Sequence, residues 1–250
     1  MLGARGHKTR FYININMISY IRKLEYSKFL QIFLVILFCI IVYGPSLKNG
    51  FIWDDDSYLY KNPWIQRTDG LKAIWFTHKM PQYYPIVFTT FWLEHKLWGF
   101  HPFGYHLANL FFHILNALLV FWVVQKLYAR LALPVALLFA IHPIQVETVA
   151  WTTEHKNLLS LFFFLLAILA YLRFDRNRGI RYYLLTVIMF VCALLSKSIA
   201  VCFIFFPVLY KWWQDGKVTW REVRLSIPFV AIGLFSAINT IYLELHKVGA

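Results

Sequence analysis

Long apolar stretches alternate along the chain with connections that carry most of the charged residues. Several of these stretches approach or reach the ~20 residues that a helix needs to cross a hydrocarbon core of ~30 Å, which predicts several membrane-spanning helices rather than one anchor. The predicted spans are 28–44, 104–124, 131–142, 157–172, 181–196, 199–212 and 225–243. The pattern therefore predicts an all-α polytopic membrane helix bundle with about seven transmembrane helices.

Two of the predicted spans are short and lie beside breaks. The third ends at His142–Pro143, and the sixth follows closely on Ser196–Lys197–Ser198. A broken backbone at membrane depth survives only where protein or a water-filled cavity satisfies its polar groups. Both breaks therefore indicate a functional site.

The connection between the first two spans, residues 44–103, is far longer than the others. Connections of this length usually carry function. Within it, residues 86–98 are aromatic and amphipathic but too short and too polar to span. They predict an interfacial helix that lies in the headgroup region.

Composition and charge support a membrane protein with a defined orientation. Of the 250 residues, 60% are hydrophobic and only 15% are charged, which excludes an ordinary water-soluble domain. With residue 1 inside, 16 of the 25 Lys and Arg and four of the 12 Asp and Glu are cytoplasmic, which gives +12 inside and +1 outside. The positive-inside rule thus predicts a cytoplasmic N-terminus. The net charge of +13 is then explained by membrane orientation rather than by binding of nucleic acid.

The same pattern divides the chain into three parts. Residues 1–27 are a basic cytoplasmic N-terminus, residues 28–243 are the transmembrane module with 44–103 as its first outer loop, and residues 244–250 are a C-terminus. Because the chain ends just after an apolar span, we expect it to be a truncated form of a longer protein.

Three consecutive carboxylates are the strongest chemical feature. Asp54, Asp55 and Asp56 stand among aromatic residues directly after the first span. Like charges this close oppose one another, and such clusters usually serve general-base catalysis or cation binding. The alternative is a solvated turn that follows Asn49–Gly50.

A second feature follows His142, which is placed to cap a new helix with Pro143 at its first position. Glu147, Trp151 and Glu154 then have i, i+4, i+7 spacing, which predicts one shared helix face. An ordinary interfacial helix with these residues facing water is the alternative.

A third feature is a polar stripe in the second span. His106, Asn109, His113 and Asn116 are spaced by 3, 4 and 3 residues, which keeps them within a quarter turn and predicts that they face protein rather than lipid. Interhelical hydrogen bonding is favoured over substrate contact. His106, nearest the outer surface, is the exception that we assign to substrate.

A fourth feature is Lys197, which lies between two closely spaced spans and needs an anionic partner such as a phosphate. A lysine that snorkels to the headgroups is the alternative. We predict no zinc site and no nucleotide site, because the His and Cys residues lack metal-ligand spacing and no glycine-rich phosphate loop is present.

Taken together, these residues resemble a known family. The motifs are Phe51-x-Trp-Asp-Asp-Asp56, Asn62-Pro63, Tyr84-Pro85, His101-Pro-Phe-Gly-Tyr-His-Leu-Ala-Asn109, Asn116-Ala-Leu-Leu, His142-Pro-Ile-Gln-Val-Glu147-x-Val-Ala-Trp151, Lys156-Asn-Leu-Leu159 and Leu195-Ser-Lys-Ser198. From about residue 45 to 213 the chain resembles the transmembrane and tetratricopeptide-repeat O-mannosyltransferase-like proteins, including bacterial relatives, of the C-type (GT-C) glycosyltransferases.

The resemblance implies a GT-C fold and a membrane glycosyltransferase. The enzyme would move a sugar such as mannose from a polyprenyl-phosphate donor to a hydroxyl of a protein or glycan acceptor on the extracytoplasmic face. Asp55 and Asp56 match the family's acidic pair, with Asp55 as the general base. A divalent cation bound by Asp54, Asp55 and Asp56 is left open.

The resemblance also implies roles for the other candidates. Glu147 or Glu154 would position acceptor or sugar, as would His106 and Trp151, and Lys197 with His142 or Lys156 would neutralise the departing lipid phosphate. The chain departs from the family in two respects: His155 replaces the usual Arg, and the further spans and repeat-bearing tail are missing. Activity of the module alone is therefore left open.

The orientation is compatible with two membranes. A bacterial inner membrane is favoured, and the endoplasmic reticulum is the equivalent location if the protein is eukaryotic. Two functions of other classes are the alternatives, namely a lipid-sugar or ion transporter and a non-catalytic membrane assembly subunit. The acids cluster outside the first span and no inverted repeat is visible, which disfavours a transporter.

Overall fold

The fold, given by a computed structural model, is described for residues 28–243 and 245. The basic segment 1–27, residue 244 and residues 246–250 lie outside the described residues, so the predictions made for them stay predictions. The α-helices are α1 Lys28–Tyr43, α2 Pro63–Gln66, α3 Gly70–Phe76, α4 Pro85–Trp98, α5 Pro102–Leu127, α6 Ala132–Ile141, α7 Gln145–Ala150, α8 His155–Asn177, α9 Ile180–Leu194, α10 Phe206–Asp215 and α11 Trp220–Leu243.

The all-α prediction is confirmed, since the described part of the chain contains helices and no strand. Within residues 28–243, four helical segments are long and apolar enough to cross a membrane, namely 28–48, 102–127, 152–177 and 220–242, and two shorter apolar helices cover 129–141 and 180–194. Helical segments therefore occupy all seven predicted spans, although the helices at the third and fifth are short.

The sixth predicted span is not one continuous α-helix. Residues Ser198–Phe205 form a 3₁₀-helix, and α10 continues from Phe206. The preceding Lys197 has extended backbone, with φ −163° and ψ 133°, so α9 cannot run on into the next segment. The predicted break at Lys197 is thus real, and it places this residue at one end of the bundle.

Residues 44–103 fold into a compact helical layer over that same end, which we call the loop end. The predicted helix 86–98 is confirmed as α4, and a buried cluster that includes Tyr58, Phe88 and Phe91 joins the layer to Tyr105 of α5. A Cβ at Gly70 would lie 1.9 Å from the backbone oxygen of Trp64, so this position requires glycine. The layer is therefore packed on the bundle and positions the candidate residues of the first segment.

The predicted polar stripe of α5 is fully buried and joins neighbouring segments, as predicted. The amide nitrogen of Asn109 donates to the carbonyls of Val149 (3.3 Å) and Trp151 (2.9 Å). His113 Nε2 lies 3.0 Å from the Ala140 carbonyl, and Asn116 donates to the Leu158 carbonyl at 2.9 Å. Since each bond crosses to another segment, the stripe fixes the path of residues 140–158 against α5.

Candidate active site at the loop end

The segment between α7 and α8 changes direction at Trp151, whose backbone is extended with φ −104° and ψ 122°. Residues Thr152–Glu154 then form a single 3₁₀ turn. The prediction of one helix face for Glu147, Trp151 and Glu154 is therefore wrong. Glu147 is exposed on α7, whereas Glu154 is buried.

His142 precedes α7 but does not cap it as predicted, because α7 begins at Gln145 with Ile144 as its N-cap. Its Nδ1 atom accepts a hydrogen bond at 3.2 Å from the backbone N–H of Ile144, the residue just before α7 begins. The His142 side chain is exposed, and its carbonyl accepts from the Tyr43 hydroxyl at 3.1 Å. The geometry therefore shows a local role for His142 at the helix start, and its predicted contact with a phosphate stays a prediction.

Asp55 is fully buried and joins the first outer segment to the segment after α7. One carboxylate oxygen accepts from the backbone N–H of Thr153 (2.8 Å) and from its hydroxyl (2.5 Å). The other accepts from the backbone N–H of Ile52 at 2.9 Å. The three donors occupy both oxygens and leave no exposed edge for a substrate, so the assignment of Asp55 as general base stays a prediction that this geometry does not favour.

The Asp55 contacts close a tight turn over residues 52–55, in which the Asp55 N–H also donates to the Ile52 carbonyl at 3.0 Å. Trp53 lies inside this turn with φ +47°, and the residue is 73% exposed. Left-handed backbone at a bulky residue costs about 1–3 kcal/mol and persists only where the surroundings impose it. The Asp55 turn imposes it here and presents both Trp53 and Asp54 to the exterior.

The three predicted acids consequently separate. Asp54 is exposed, Asp55 is buried, and Asp56 forms an ion pair with Lys61. The Lys61 ammonium lowers the pKa of Asp56 below its ordinary value. No group of three or more His, Cys, Asp or Glu side chains is arranged to hold a metal among the residues that the structure describes, and the divalent cation suggested for these acids stays a prediction.

A second polar group, the Glu154 cluster, consists of Glu154, Lys156, Asn157 and Lys197. Lys156 Nζ lies 2.9 Å from one Glu154 oxygen, and Lys197 Nζ lies 3.6 Å from the other. Asn157 bridges the cluster, since its amide nitrogen donates to Glu154 and its oxygen accepts from Lys197 at 2.5 Å. Two ammonium groups thus face one carboxylate, which leaves an excess positive charge for an anion.

Burial lowers the pKa of Lys197 below its ordinary value, and the Glu154 carboxylate opposes that shift. The Lys156 ammonium adds to the lowering because two like charges disfavour each other. An anion bound between the two lysines would relieve both the repulsion and part of the burial cost. The electrostatics of the cluster therefore favour anion binding.

Tyr58 connects this cluster with the acidic turn. Its hydroxyl donates to the Gln82 side-chain oxygen at 2.5 Å, and Lys156 Nζ lies 5.3 Å from its ring centroid. Burial raises the pKa of Tyr58, and the charges of Asp54 and Glu154 contribute to the rise. The phenol therefore stays protonated as a donor between the acidic and basic groups.

A cavity of about 570 Å³ opens beside these groups. The indoles of Trp53 and Trp151 meet there edge to face, with ring centroids 5.0 Å apart. Lys156 Nζ lies 5.8 Å from the Trp151 ring, so Trp151 borders both the cavity and the Glu154 cluster. The lining includes Ile52, Trp53, Ile144, Val146, Glu147 and Trp151.

The loop end thus brings together most, but not all, of the residues singled out from the sequence. Glu154, Lys156, Lys197 and Trp151 lie together, whereas His106 is buried beneath the first outer segment, with Nε2 3.4 Å from the Gly50 carbonyl. Sequence reasoning did not single out Thr153, Tyr58 or Gln82. Only Tyr58, as one of the aromatics beside the acids, carried a signal.

A buried carboxyl below the site predicts a pH effect on stability. Glu94 is buried with Oε1 3.8 Å from His155 Nε2, and its other oxygen has no hydrogen-bond partner among the described residues. Burial raises the pKa of Glu94 well above its ordinary value, so the folded chain binds a proton that the unfolded chain releases. Stability should therefore fall as pH rises above the ordinary carboxyl pKa toward the folded value.

We expect Glu94→Gln to remove this loss of stability with rising pH, because the amide does not titrate. Thermal unfolding of wild type and variant across pH measures it, with Asp69→Asn on the exposed surface as control. Parallel pH profiles for wild type and Glu94→Gln would contradict the assignment.

Comparison with known proteins matches this chain to one family. Residues 80–242 match the model described as dolichyl-phosphate-mannose-protein mannosyltransferase. The chain is 27% identical to protein O-mannosyl-transferase F38B6.6 of Caenorhabditis elegans, over 69% of this chain and 27% of that protein. It is 30% identical to human protein O-mannosyl-transferase TMTC1, over 64% of this chain and 21% of the relative.

A third relative, human protein O-mannosyl-transferase TMTC3, is 35% identical over 52% of this chain and 16% of its own length. The chain therefore spans less than a third of the length of these relatives. No solved structure matches.

Proposed function

Because this chain belongs to the dolichyl-phosphate-mannose-protein mannosyltransferase family, we propose that it is a membrane glycosyltransferase module. It transfers a hexose, such as mannose, from a polyprenyl-phosphate donor to a hydroxyl of a protein acceptor. The observation that carries the proposal is the Glu154 cluster, in which two ammonium groups share one carboxylate. The family match favours transfer over a transporter or an assembly subunit.

The cluster suits the leaving group of this reaction. As the bond between the sugar carbon C1 and the phosphate oxygen breaks, negative charge grows on the lipid phosphate. Lys156 and Lys197 would bind that charge, and fixed donors at a developing charge are the strongest single contribution in many enzymes. Glu154 and Asn157 hold the two ammonium groups in place.

The acceptor side needs a base for the hydroxyl proton. Of the three acids, Asp54 is the one whose side chain is exposed, so we assign it this role. The acceptor oxygen forms the new bond to C1, its proton passes to Asp54, and the lipid phosphate departs with the bonding electrons. Asp55 then acts as a positioning residue, because its three hydrogen bonds hold the turn that carries Asp54.

The proposed orientation in the membrane rests on the distribution of charge. Basic residues are in excess in the connections on the side opposite the loop end. This excess supports a cytoplasmic N-terminus and a loop end on the extracytoplasmic face. The membrane would be a bacterial inner membrane or the endoplasmic reticulum. The proposed module comprises residues 28–243.

Lys197→Gln tests the donor site. We expect the donor KM to rise about tenfold, equivalent to ~1.4 kcal/mol, because Lys156 remains to bind the phosphate. The measurement is transfer of radiolabelled hexose from polyprenyl phosphate to acceptor peptides by the chain in lipid nanodiscs. Lys72→Gln, an exposed lysine of α3, is the matched control. An unchanged donor KM, or no transfer by the wild-type chain with any hexose donor, would contradict the proposal.

A further inference from the structure

The cavity beside Trp53 has no role in donor binding as proposed above. We infer that it binds the acceptor, as a polypeptide segment with apolar residues next to its hydroxyl residue, and that Trp53 determines acceptor choice. This inference rests on the proposed function and specifies its acceptor. The volume of the cavity, about 570 Å³, lies in the range of ligand pockets and would hold a few side chains.

The strained conformation of Trp53 is the first observation. Its backbone is left-handed at φ +47° while the residue stays 73% exposed, so burial of Trp53 does not account for the conformation. Strain of this kind is typical of positions held for ligand contact. Trp53 and Trp151 meet at an interplanar angle of 81°, which forms a two-walled aromatic corner for an incoming side chain.

The chemistry of the lining selects the occupant. Seven of the nine lining residues are apolar, and the exceptions are Asn49 and Glu147. A glycan would need more polar partners for its hydroxyls, and a phosphate would meet the carboxylate of Glu147, the one charged group among the described lining residues. Exposed Ile144 and Val146 instead offer contacts to apolar side chains, while Glu147 favours a neutral or basic segment over an acidic one.

The position of the cavity matches the reaction. Trp53 is the chain neighbour of Asp54, the proposed base, and Trp151 borders the Glu154 cluster through Lys156. A segment held against the two indoles would therefore have its hydroxyl close to Asp54 and to the sugar of a donor held at the lysines. The relatives named above are protein O-mannosyl-transferases, which is consistent with a polypeptide acceptor.

Direct binding of synthetic peptides to the 250-residue chain in nanodiscs tests the inference. Each peptide carries one threonine flanked either by Ile and Val or by Asp and Glu. We expect the apolar-flanked peptide to bind wild type and to bind Trp53→Asn about tenfold more weakly, while the donor KM is unchanged. Asn adopts left-handed backbone readily, so the turn should persist and thermal stability should not fall. Trp220→Asn, a tryptophan that is 71% exposed on α11, is the control.

The charge of Glu147 gives an independent readout. Glu147→Gln should improve binding of the acid-flanked peptide and leave the apolar-flanked peptide nearly unchanged. A role of Glu147 in folding alone would alter both peptides equally, which would count against the inference.

The outcomes separate this inference from the proposed function. Equal peptide binding by wild type and Trp53→Asn, no binding by wild type, or a raised donor KM in Trp53→Asn would overturn the acceptor site. Peptide binding that depends on Trp53, in a chain that transfers no sugar, would support the acceptor site and contradict the proposed function.

Discussion

Asp54→Asn is expected to reduce sugar transfer by about 10²–10⁴-fold while the chain folds normally, because an amide cannot take the acceptor proton. The exposed position of Asp54 means that the substitution removes no buried contact. The measurement compares kcat for transfer from polyprenyl-phosphate hexose with the thermal unfolding midpoint of the same preparation. Donor KM should stay near the wild-type value, since the phosphate is bound by the Glu154 cluster.

Asp69→Asn provides the matched control for this experiment. Asp69 is also an exposed carboxylate of the first outer segment, where it pairs with Arg67 at 2.8 Å, and it is not among the residues that line the cavity. Its replacement should leave transfer unchanged. Transfer that survives in Asp54→Asn would contradict the assignment of the base and return the role to Asp55 or Asp56.

The sequence predicts the parts of this fold that depend on one-dimensional periodicity. The apolar spans and the helix at 86–98 depend on residue spacing along a single element, and so does the stripe from His106 to Asn116. Two rules are enough to predict these features: an apolar helix face is buried in an apolar environment, and polar groups on that face form hydrogen bonds. The structure contains all three.

The failures arise where the chain changes direction. Glu147 and Glu154 have helical spacing, but the extended backbone at Trp151 turns the carboxylates to different environments. Asn109 stabilises that turn through the carbonyls of Val149 and Trp151, a contact between residues about 40 apart that no local pattern encodes. Helical spacing therefore predicts one continuous helix even where the helix is interrupted. Such an interruption is stable because a polar side chain of another helix forms hydrogen bonds with the free backbone groups.

The contact between Asp55 and Thr153 is the clearest case, since 98 residues separate the partners. Asp54, Asp55 and Asp56 are identical in type and consecutive in sequence, so composition alone cannot assign them different roles. Their roles diverge because the tight turn at 52–55 buries the middle carboxylate and exposes its neighbour. The sequence predicts a carboxylate site in this region, but only the conformation of the turn shows that Asp54, rather than Asp55, is exposed.

Asp55→Ala is expected to destabilise the fold severely and to abolish transfer as a consequence. The substitution leaves the backbone N–H groups of Ile52 and Thr153 and the Thr153 hydroxyl without their acceptor. The two Thr153 groups are buried and each costs about 1–3 kcal/mol when unsatisfied, which is a large part of the ~5–15 kcal/mol stability of a typical domain. Thermal unfolding and hydrogen exchange at residues 52–55 measure the effect.

Two further variants distinguish a positioning residue from a base. Asp55→Asn keeps one acceptor oxygen but directs an amide N–H₂ at a donor, so its stability should lie between wild type and Asp55→Ala. Thr153→Val removes only the hydroxyl donor and should lower stability by about 1 kcal/mol, with a proportionate loss of transfer. If Asp55→Asn instead folds with wild-type stability and yet transfers no sugar, Asp55 must act on the substrate. The buried geometry would then be a resting state from which the carboxylate moves.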